Sequence, residues 1–392
     1  MSKDTCPLCG GLDRVTCLDR PQAPVLQNAI YSSLDEARSA LTAPLAIRQC
    51  AECGFVFNAA FEPALMRYGE KYENDQTASG LFAAHVEAMA LRVVQALRKA
   101  PDALVLEVGC GQGYFLRRLS ELSGGSTRAM GFDPAWRGGH VGANISISDR
   151  TFDSESAKSI RERIDVVVCR HVIEHIPDPL QFLRSIHQAL EGPNAVEVFF
   201  ETPCVEWILR GGVLQDFFYE HCSYFSAVTL RQALQSSGFD VQQVEHVFGG
   251  QYLWASAVRR PGGLDENAHA SRGTVPDAPR LASAVSTELT RIFSARYQTS
   301  VSTWPSQLLS LGKRGRVALW GAGAKGVTFA VTIDPAAQLI DCLIDLNPAK
   351  QSGFSPVTCH PIVSPELAAK RQVRSVIVMN PNYRDEIAAR VA

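Results

Sequence analysis

Short apolar runs alternate with amphipathic stretches through the middle of the chain. Four of these runs predict buried strands: Ala103–Leu106, Arg128–Phe132, Ile164–Cys169 and Ala195–Glu201. Three stretches with apolar residues at helical spacing predict helices: Leu81–Leu97, Phe115–Leu122 and Asp178–Leu190. Such alternation is typical of a doubly wound parallel sheet, and His246–Val258 is predicted to add closing antiparallel strands.

The last third of the chain contains a linker, a long helix and a second alternation of strands and helices. Between Arg260 and Pro279 the apolar periodicity disappears in a run rich in Pro, Gly, Ser, Asp and Asn, which predicts a linker. A long helix is predicted over Leu281–Leu311. Two further strands, Arg316–Trp320 and Ile340–Asp345, then predict a second Rossmann-like α/β unit.

Composition limits the classes of function. At 392 residues with 46% hydrophobic content, the chain is long enough for two or three domains with cores of their own. A net charge of -2 provides no electrostatic footprint for nucleic acid. Neither a signal-peptide pattern nor a long uncharged apolar run is present, so we expect a cytoplasmic protein without a membrane partner. Most of the eleven cysteines lie singly in apolar runs, as Cys169 and Cys342 do, and predict reduced core residues.

Four cysteines near the N-terminus have a different spacing. Cys6 and Cys9, like Cys50 and Cys53, are separated by two residues and followed by glycine, and two such knuckles predict a tetrahedral zinc site. Four thiolates leave the metal no open position, so the zinc is expected to be structural. A redox Cys-x-x-Cys pair is the alternative. Residues 1–63 carry five Lys or Arg against seven Asp or Glu, which argues against phosphate binding by this module.

A glycine-rich turn follows the first predicted strand of the central part. Gly109, Gly111 and Gly113 allow the backbone to turn tightly and to approach a ligand. Glu107 precedes them, and Asp133 ends the next strand, where a carboxylate accepts hydrogen bonds from a ribose diol. The Gly-x-Gly-x-Gly spacing differs from that of a pyrophosphate cradle and predicts an S-adenosylmethionine pocket. A turn without a ligand is the alternative.

A second glycine turn opens the last predicted unit. Gly321, Gly323 and Gly326 have the Gly-x-Gly-x-x-Gly spacing of a dinucleotide site, and Ile340–Asp345 ends in an acid at a suitable distance. About ninety residues are short for a complete dinucleotide fold, so a smaller nucleotide fits better. Lys325 within the turn favours a diphosphate, helped by the amides of a helix N-terminus. A relic of the fold without a ligand remains the alternative.

The order of these motifs along the chain resembles that of a known family. The double Cys-x-x-Cys module, Glu107-Val-Gly-Cys-Gly111, His171-Val-Ile-Glu-His175, Tyr219-Glu-His-Cys-Ser-Tyr-Phe225, Gly321-Ala-Gly-Ala-Lys-Gly326 and Asn380-Pro-Asn-Tyr383 are similar to the three-domain sugar C-methyltransferases. This resemblance implies a doubly wound class I methyltransferase (Rossmann-like) α/β domain, a small N-terminal zinc module and a C-terminal second Rossmann-like α/β domain. The expected boundaries are 1–63 for the zinc-binding module, 64–260 for the methyltransferase domain, 261–312 for the linker and long helix, and 313–392 for the C-terminal substrate-binding domain.

The resemblance also implies a reaction and residues for it. Enzymes of this family methylate a ring carbon beside the ketone of a nucleotide-linked 4-keto-deoxysugar. Arg170 and His171 are expected to bind the cofactor together with Glu107, the glycines and Asp133. The residues expected to bind the substrate are Tyr219, Tyr224, Gly321, Gly323, Lys325 and Asn380.

Carbon methylation needs a base near the α-proton and donors for the enolate oxygen. His221 is the expected base, with Glu220 keeping its pKa high enough to accept a proton. His175 follows a predicted strand and is expected to donate to the enolate oxygen or to act as the base instead. Tyr72 is expected to hold the sugar or the enolate. Where many relatives have Tyr-His-Glu-His, this chain has Phe218-Tyr219-Glu220-His221, so the acceptor is open to a different sugar or another molecule.

Three hypotheses follow from the sequence. One is a carbon methyltransferase on a nucleotide-linked ketosugar, which the Glu220–His221 pair favours because a carbon acid must be ionised. Another is a methyltransferase acting on oxygen or nitrogen of a different small metabolite. The third is an NAD-binding protein that uses the Gly321 turn, and it leaves the segment 107–113 unexplained. We expect a monomer or a weak homo-oligomer.

Overall fold

A computed structural model describes residues 5–67, 72–73, 77–97, 103–160, 162–190, 195–259 and 277–391 of the chain. The predicted linker lies outside the described residues as far as residue 276. The N-terminal module contains β1 (Arg14–Pro24), α1 (Leu34–Arg38), β2 (Thr42–Cys50) and β3 (Val56–Asn58).

The central domain is built around a mainly parallel sheet. Its elements, in chain order, are α2 (Gly80–Leu97), β4 (Leu104–Val108), α3 (Tyr114–Leu122), β5 (Arg128–Phe132), β6 (Ile145–Ser148), α4 (Ser154–Ser159), β7 (Val166–Arg170), α5 (Pro179–Ala189), β8 (Glu197–Pro203), α6 (Val205–Gly211), β9 (Ser223–Tyr224), α7 (Ala227–Ser236), β10 (Phe239–Val247) and β11 (Tyr252–Arg259). Over the described residues the strand order is β10-β11-β8-β7-β4-β5-β6, and only β10 and β11 run antiparallel to their neighbours. Val105, Leu106, Val167 and Val168 are fully buried because helices cover both faces of the sheet.

The N-terminal module is joined to the central domain through a shared sheet. β3 pairs with β9, with Val56 opposite Tyr224 and Phe57 opposite Ser223, which extends the small sheet to the order β1-β2-β3-β9. The segment Glu220-His221 directly precedes β9 in the chain. The module therefore supports one side of the loop that carries these two residues.

The C-terminal domain follows a helix of 36 residues, α8 (Asp277–Gly312). Its further elements are β12 (Arg316–Trp320), α9 (Ala324–Ile333), β13 (Cys342–Ile344), β14 (Ile362–Val363), α10 (Pro365–Lys370), β15 (Val373–Val378) and α11 (Arg384–Val391). Among the described residues the sheet order is β14-β13-β12-β15, and all of its pairs are parallel. Phe293 of α8 packs against Phe217 with 5.1 Å between ring centroids, which ties this helix to the central domain.

The predicted fold class is confirmed, and its element bounds mostly differ by one to three residues. Arg128–Phe132 and Arg316–Trp320 are strands with the predicted bounds. The prediction for His246–Val258 was wrong at its start because the first closing strand begins at Phe239. Most residues of that strand are exposed or half-buried, so its sequence lacks a clear apolar pattern. Among the described helices, α2 alone has the length and apolar composition of a membrane span, and its residues Val86, Ala90 and Val93 are buried in the core.

Candidate active site

A cavity of about 240 Å³ lies between the carboxyl ends of the central strands and the C-terminal domain. Its walls include residues from all three parts of the chain, among them Asn28, Tyr72, His171, His175, Glu220, His221, Gly321, Gly323, Lys325, Lys350 and Asn380. Parallel strands place ligands at this edge of a doubly wound sheet. The tertiary structure therefore brings together predicted residues that lie more than 300 positions apart.

Two histidines face each other in the cavity. The rings of His175 and His221 are nearly perpendicular, with 4.7 Å between their centroids. Nδ1 of His175 lies 3.0 Å from the backbone carbonyl of Glu220, which fixes that ring. Burial lowers the pKa of His221 well below its usual value, and the neighbouring His175 and His171 lower it further. The expectation that Glu220 keeps this pKa high is therefore wrong: the imidazole is held in its neutral form.

The carboxylate of Glu220 is fully buried beside this pair. The Tyr72 hydroxyl donates to its Oε2 at 2.7 Å, and the backbone N–H of Gln27 donates to its Oε1 at 2.6 Å. Burial raises the pKa of Glu220, while His175 and these donors oppose the rise. Within the described residues, its hydrogen bonds go to Tyr72 and to the backbone of 27 and 28. The expected pairing of Glu220 with His221 is therefore replaced by a pairing with His175 and Tyr72.

Phe218 forms an apolar wall against the proposed base. Its ring centroid lies 4.1 Å from that of His221. This is the residue at which the chain departs from the family pattern. It excludes water from one face of the imidazole and offers the acceptor no hydroxyl.

Two tyrosines that the sequence assigned to the substrate lie in the core instead. The Tyr219 hydroxyl accepts the backbone N–H of Glu62 at 2.9 Å, and the Tyr224 hydroxyl donates to the backbone carbonyl of Phe218 at 3.0 Å. Their exposed fractions are 0% and 2%, and neither lines the cavity. Because β9 pairs with β3, this part of the loop points its phenols into the core shared with the N-terminal module.

The predicted cofactor turn, residues 109–113, has the backbone expected of it. Gly109, Gly111 and Gly113 have φ of 75°, 54° and 72°, in the left-handed region that favours glycine. A Cβ on Gly109 would lie 2.0 Å from Cγ2 of Val172, so the turn packs directly against the segment between His171 and His175. This contact places the predicted cofactor site beside the cavity.

Two carboxylates flank the turn. Asp133 accepts the backbone N–H of Gly111 at 2.7 Å through Oδ2 and that of Ala135 at 2.8 Å through Oδ1. Burial raises the pKa of Glu107 to about 8, and its Oε2 is buried without a hydrogen-bond partner among the described residues. The turn therefore has one carboxylate held rigidly at its edge and one with unused bonding capacity.

Arg170 and His171 belong to a buried charge network that the sequence analysis missed. Nε of Arg170 donates to Oε2 of Glu201 at 2.7 Å, and the imidazole of His85 contacts the other oxygen of that carboxylate. Although burial alone would raise the pKa of Glu201, Arg170, His85 and His171 together hold it well below its usual range. Arg170 is thus engaged with Glu201 through Nε, while its Nη2 is buried without a hydrogen-bond partner among the described residues. Its charge opposes the rise that burial causes in the pKa of Glu107 beside the cofactor turn, and its expected contact with the cofactor stays a prediction.

His171 lines the cavity from a strained backbone position. Its φ is 54°, and its Nδ1 lies 3.4 Å from Glu174 while Nε2 lies 3.8 Å from Glu201. Residues held in this conformation cluster at functional sites. Only the tertiary contacts reveal the roles of Glu174 and Glu201. Glu174 lies within the motif His171–His175 but was assigned no role there, and Glu201 stands in an apolar strand.

The C-terminal turn, residues 321–326, faces the cavity from the opposite side. Its Lys325 forms an ion pair with Asp216, and its ammonium lies 5.8 Å from the ring centroid of Trp207. Burial lowers the pKa of Lys325 to about 7, whereas the adjacent carboxylate favours the charged form. Nδ2 of Asn380 donates to Oε1 of Gln251 at 2.9 Å. Both predicted substrate residues therefore already have protein partners across the domain boundary.

Asp345 repeats the geometry of Asp133. It accepts the backbone N–H of Ala322 through Oδ2 and that of Asn347 through Oδ1, each at 2.9 Å. In both domains, an acid after the second strand thus binds the glycine turn after the first. This confirms that the C-terminal domain is a second Rossmann-like unit.

The four predicted metal ligands converge in the N-terminal module. Sγ of Cys6 lies 3.7 Å from Sγ of Cys53, Sγ of Cys9 lies 3.5 Å from Sγ of Cys50, and all four lie within 4.8 Å of one another. A tetrahedral zinc with bonds of 2.3 Å requires sulfur separations of about 3.8 Å. Gly11 donates its backbone N–H to Cys9 at 3.4 Å, as expected for a thiolate knuckle. Cys17 lies apart from this cluster in the apolar core.

Comparisons with known proteins agree with this architecture. A methyltransferase-domain family model matches residues 82–244, and a C-methyltransferase C-terminal domain model matches residues 282–392. The chain is 26% identical to the C-methyltransferase NovU of Streptomyces niveus over 98% of its own length and 91% of the relative. Together these matches agree with the three-domain C-methyltransferase family.

Two other likenesses cover only part of this C-methyltransferase. A ubiquinone biosynthesis O-methyltransferase of Ruegeria pomeroyi is 30% identical over 97 residues, which is 24% of the chain and 39% of that protein. A solved S-adenosylmethionine-dependent methyltransferase from Mesorhizobium loti matches 46% of the chain and 100% of its own, with 18% identity and a TM-score of 0.34. The match to NovU covers 98% of the chain and therefore includes the C-terminal domain.

The cofactor turn of the C-methyltransferase fits S-adenosylmethionine. Asp133 is fixed at the edge of the turn, and one oxygen of Glu107 is buried without a hydrogen-bond partner among the described residues. Gly109 and Gly111 leave room for the ligand to approach the backbone. S-adenosylmethionine supplies an electrophilic methyl group, and the acceptor that receives it must be a small molecule able to enter the cavity.

Proposed function

We propose that this C-methyltransferase acts on the carbon α to the ketone of a nucleotide-linked 4-keto-deoxysugar. The observation that carries the proposal is a single cavity with a histidine pair on one wall and a second nucleotide-type glycine turn on the other. One wall suits the ionisation of a carbon acid, and the other suits the nucleotide that carries the sugar. A small acceptor without a nucleotide would leave the second wall without a role.

Each residue near the histidine pair has a separate proposed role in forming the enolate. His221, neutral because burial holds its pKa low, takes the α-proton, and the electron pair of that C–H bond moves toward the ketone oxygen. His175 is the proposed donor to the developing oxyanion, and Glu220 holds its ring through the backbone carbonyl. Tyr72 donates to Glu220 in this structure and would stabilise the oxyanion by turning its hydroxyl from that carboxylate to the enolate oxygen. Phe218 keeps water from the base.

Zinc is proposed as the structural metal of Cys6, Cys9, Cys50 and Cys53. Their separations and buried positions support a closed four-thiolate site, which has no position for a substrate. The sheet that ends beside this cluster includes β9, directly after His221. The metal is thus proposed to stabilise the active-site loop without taking part in the reaction.

Proton exchange tests the proposal without methyl transfer. Wild-type protein with S-adenosylhomocysteine is incubated in deuterium oxide with thymidine-diphosphate 4-keto-deoxysugars, and NMR follows the signals beside the ketone. We expect loss of one α-proton signal that depends on the protein. If no candidate exchanges and the product with S-adenosylmethionine carries its methyl group on oxygen or nitrogen, the carbon-acid mechanism is wrong and a heteroatom methyltransferase replaces it.

A further inference from the structure

Tyr72 reaches the cavity from a position where other parts of the chain hold the backbone. Its hydroxyl donates to the Glu220 carboxylate at 2.7 Å, and both residues line the cavity. Tyr72 also forms a β-bridge with Ala29 of the N-terminal module, and the backbone N–H of Glu73 donates to the carbonyl of Asn28 at 3.0 Å. The backbone of residues 72 and 73 therefore decides where the phenol lies.

Arg137 of the central domain binds the same two residues. Its Nη2 donates to the backbone carbonyl of Tyr72 at 2.6 Å, and its Nη1 lies 3.7 Å from Oε2 of Glu73. The other carboxylate oxygen of Glu73 accepts a hydrogen bond from Nδ2 of Asn347 at 3.2 Å, so the C-terminal domain contributes as well. Arg137 does not line the cavity, although Tyr72 does.

The backbone of Arg137 is held by the cofactor turn. Gln112 lies within that turn, and its Nε2 donates to the carbonyl of Ala135 at 2.7 Å while its Oε1 accepts the backbone N–H of Arg137 at 3.4 Å. Asp133 bonds both to the turn and to Ala135. A continuous series of hydrogen bonds therefore joins the cofactor turn to residues 72–73.

An arginine suits this contact because its guanidinium presents several donors in a fixed plane. The carbonyl of Tyr72 and the carboxylate of Glu73 offer two acceptors that such a group binds at the same time. A lysine has a single ammonium and cannot reproduce this geometry. The side chain of Arg137 is 49% exposed, so its replacement should leave the fold intact.

We propose that Arg137 is a positioning residue for methyl transfer, which fixes the backbone of Tyr72 so that its hydroxyl is able to reach the enolate oxygen. The inference rests on the proposed function for the role of Tyr72 and adds the residue that controls its placement. Since Arg137 belongs to the loop after Asp133, the predicted cofactor ligand, the placement of Tyr72 is tied to the cofactor side of the site. Arg137 acts through Tyr72 and contacts no ligand.

A double-mutant cycle on the full-length protein tests this role, with a 4-keto-deoxysugar nucleotide that the wild type methylates. Tyr72→Phe removes an oxyanion donor and should lower kcat on the order of a hundredfold. Arg137→Met should lower kcat about tenfold, as loss of a charge-assisted hydrogen bond does. The double variant should be no slower than Tyr72→Phe, because Arg137 has no effect once the hydroxyl is absent.

Two further variants sharpen the comparison. Arg137→Lys should restore only part of the lost kcat, because lysine lacks the planar pair of donors. Arg128→Met is the matched control, since the Arg128 side chain is also 49% exposed and forms its ion pair with Glu162. That variant should match the wild type. Affinity for S-adenosylhomocysteine should stay within about twofold in Arg137→Met, because the bond to Gln112 uses the backbone.

Hydrogen exchange provides a readout that needs no reaction. The N–H of Glu73 is bonded to the carbonyl of Asn28, so mass spectrometry of the peptide that contains it should show faster exchange in Arg137→Met and wild-type exchange in Arg128→Met. Unchanged exchange in Arg137→Met would show that this side chain does not hold the segment, and the proposal would be wrong.

The kinetic outcomes separate the remaining explanations. If the losses in kcat multiply in the double variant, or if Arg137→Met raises only the KM of the sugar nucleotide, Arg137 does not act through Tyr72 and the proposal is overturned. If the peptide exchanges faster as expected but no ketosugar loses its α-proton even in the wild type, the contact between Arg137 and Tyr72 stands and the proposed function fails. Ketosugar exchange in the wild type with an unaffected Arg137→Met gives the opposite conclusion.

Discussion

At the scale of single residues, the environment of each histidine separates their roles. The ring of His175 is held by the backbone carbonyl of Glu220, whereas His221 lies between His175 and the apolar ring of Phe218. An imidazolium is favoured beside a carboxylate and disfavoured beside apolar rings. His221 is thus held in the neutral form, which leaves a ring nitrogen free for the α-proton, while the same burial lowers its basicity.

Replacement of His221 by Asn should suppress catalysis while leaving the cofactor site intact. Because a general base contributes directly to α-proton removal, exchange and turnover should both fall on the order of a hundredfold or more. Affinity for S-adenosylhomocysteine should stay at the wild-type value. NMR exchange, product formation and calorimetry measure these three quantities.

The exposed His140 provides a control, because His140→Asn removes an imidazole away from the cavity. That variant should match the wild type. If His221→Asn retains its turnover while His175→Asn abolishes proton exchange, His175 is the base and His221 the hydrogen-bond donor.

At the scale of elements, the cofactor turn depends on close packing against the segment that carries the histidines. Gly109→Ala places a methyl group 2.0 Å from Val172 at a φ of 75°, whereas a Cβ on Gly111 would meet nothing within 4 Å. Both changes force an L-residue into the left-handed region, at about 1–2 kcal/mol. Overpacking adds about 1–3 kcal/mol at Gly109 alone.

We therefore expect Gly109→Ala to lower the free energy of unfolding and the affinity for S-adenosylhomocysteine more than Gly111→Ala does. Denaturant unfolding and calorimetry provide the measurement. A second substitution, Val172→Ala, removes the clashing methyl groups and should restore part of the loss. Equal effects of both glycine variants, with no restoration, would contradict the packing argument.

The small N-terminal sheet is the other element with a direct link to the site. Cys50→Ser removes one of four proposed ligands, so bound zinc should fall from about one per chain to less than half. Loss of the metal should also lower the melting temperature and weaken exchange, since β3 pairs with β9 beside His221. Elemental analysis and thermal unfolding test both effects.

Cys359→Ser is the matched control because Cys359 is only partly buried and lies outside the four-cysteine cluster. It should retain the wild-type zinc content. Less than about half an equivalent of zinc in the wild type, or unchanged zinc in Cys50→Ser, would rule out the metal assignment.

At the scale of the whole molecule, the ion pair between Asp216 and Lys325 links the central and C-terminal domains. Asp216→Asn leaves a buried ammonium without its carboxylate, and loss of one partner of such a pair costs about 3 kcal/mol. The free energy of unfolding should fall accordingly at neutral pH. Asp240→Asn changes an exposed aspartate and should have little effect.

The pH dependence of this variant follows from Lys325. Burial lowers the pKa of Lys325 to about 7, whereas the unfolded side chain titrates near 10.5, and loss of Asp216 removes a group that favours the charged form. Between these values the unfolded chain binds more protons, so the stability of Asp216→Asn should rise as pH increases from 7 toward 10.5. A stability that stays flat or falls across this range would show that Lys325 keeps its charge in the folded variant.

Local patterns in the sequence determined the elements, the two glycine turns and the cysteine knuckles. Apolar runs and helical periodicity depend on which residues face a core, and Gly109, Gly321 and Cys6 belong to motifs whose geometry is set within a few positions. For the same reason Arg128–Phe132 and Arg316–Trp320 were located without error, and the expected acid after each second strand binds its glycine turn.

Only the tertiary structure decided which polar groups meet. Glu220 bonds with Tyr72 instead of orienting His221, Tyr224 turns into the core, and Lys325 pairs with Asp216 in place of a ligand. The partners in these contacts are separated by 148, 6 and 109 positions, and even the shortest depends on the pairing of β9 with β3. A side chain's identity fixes what it is able to bind, but its partner depends on which strands and domains pack together.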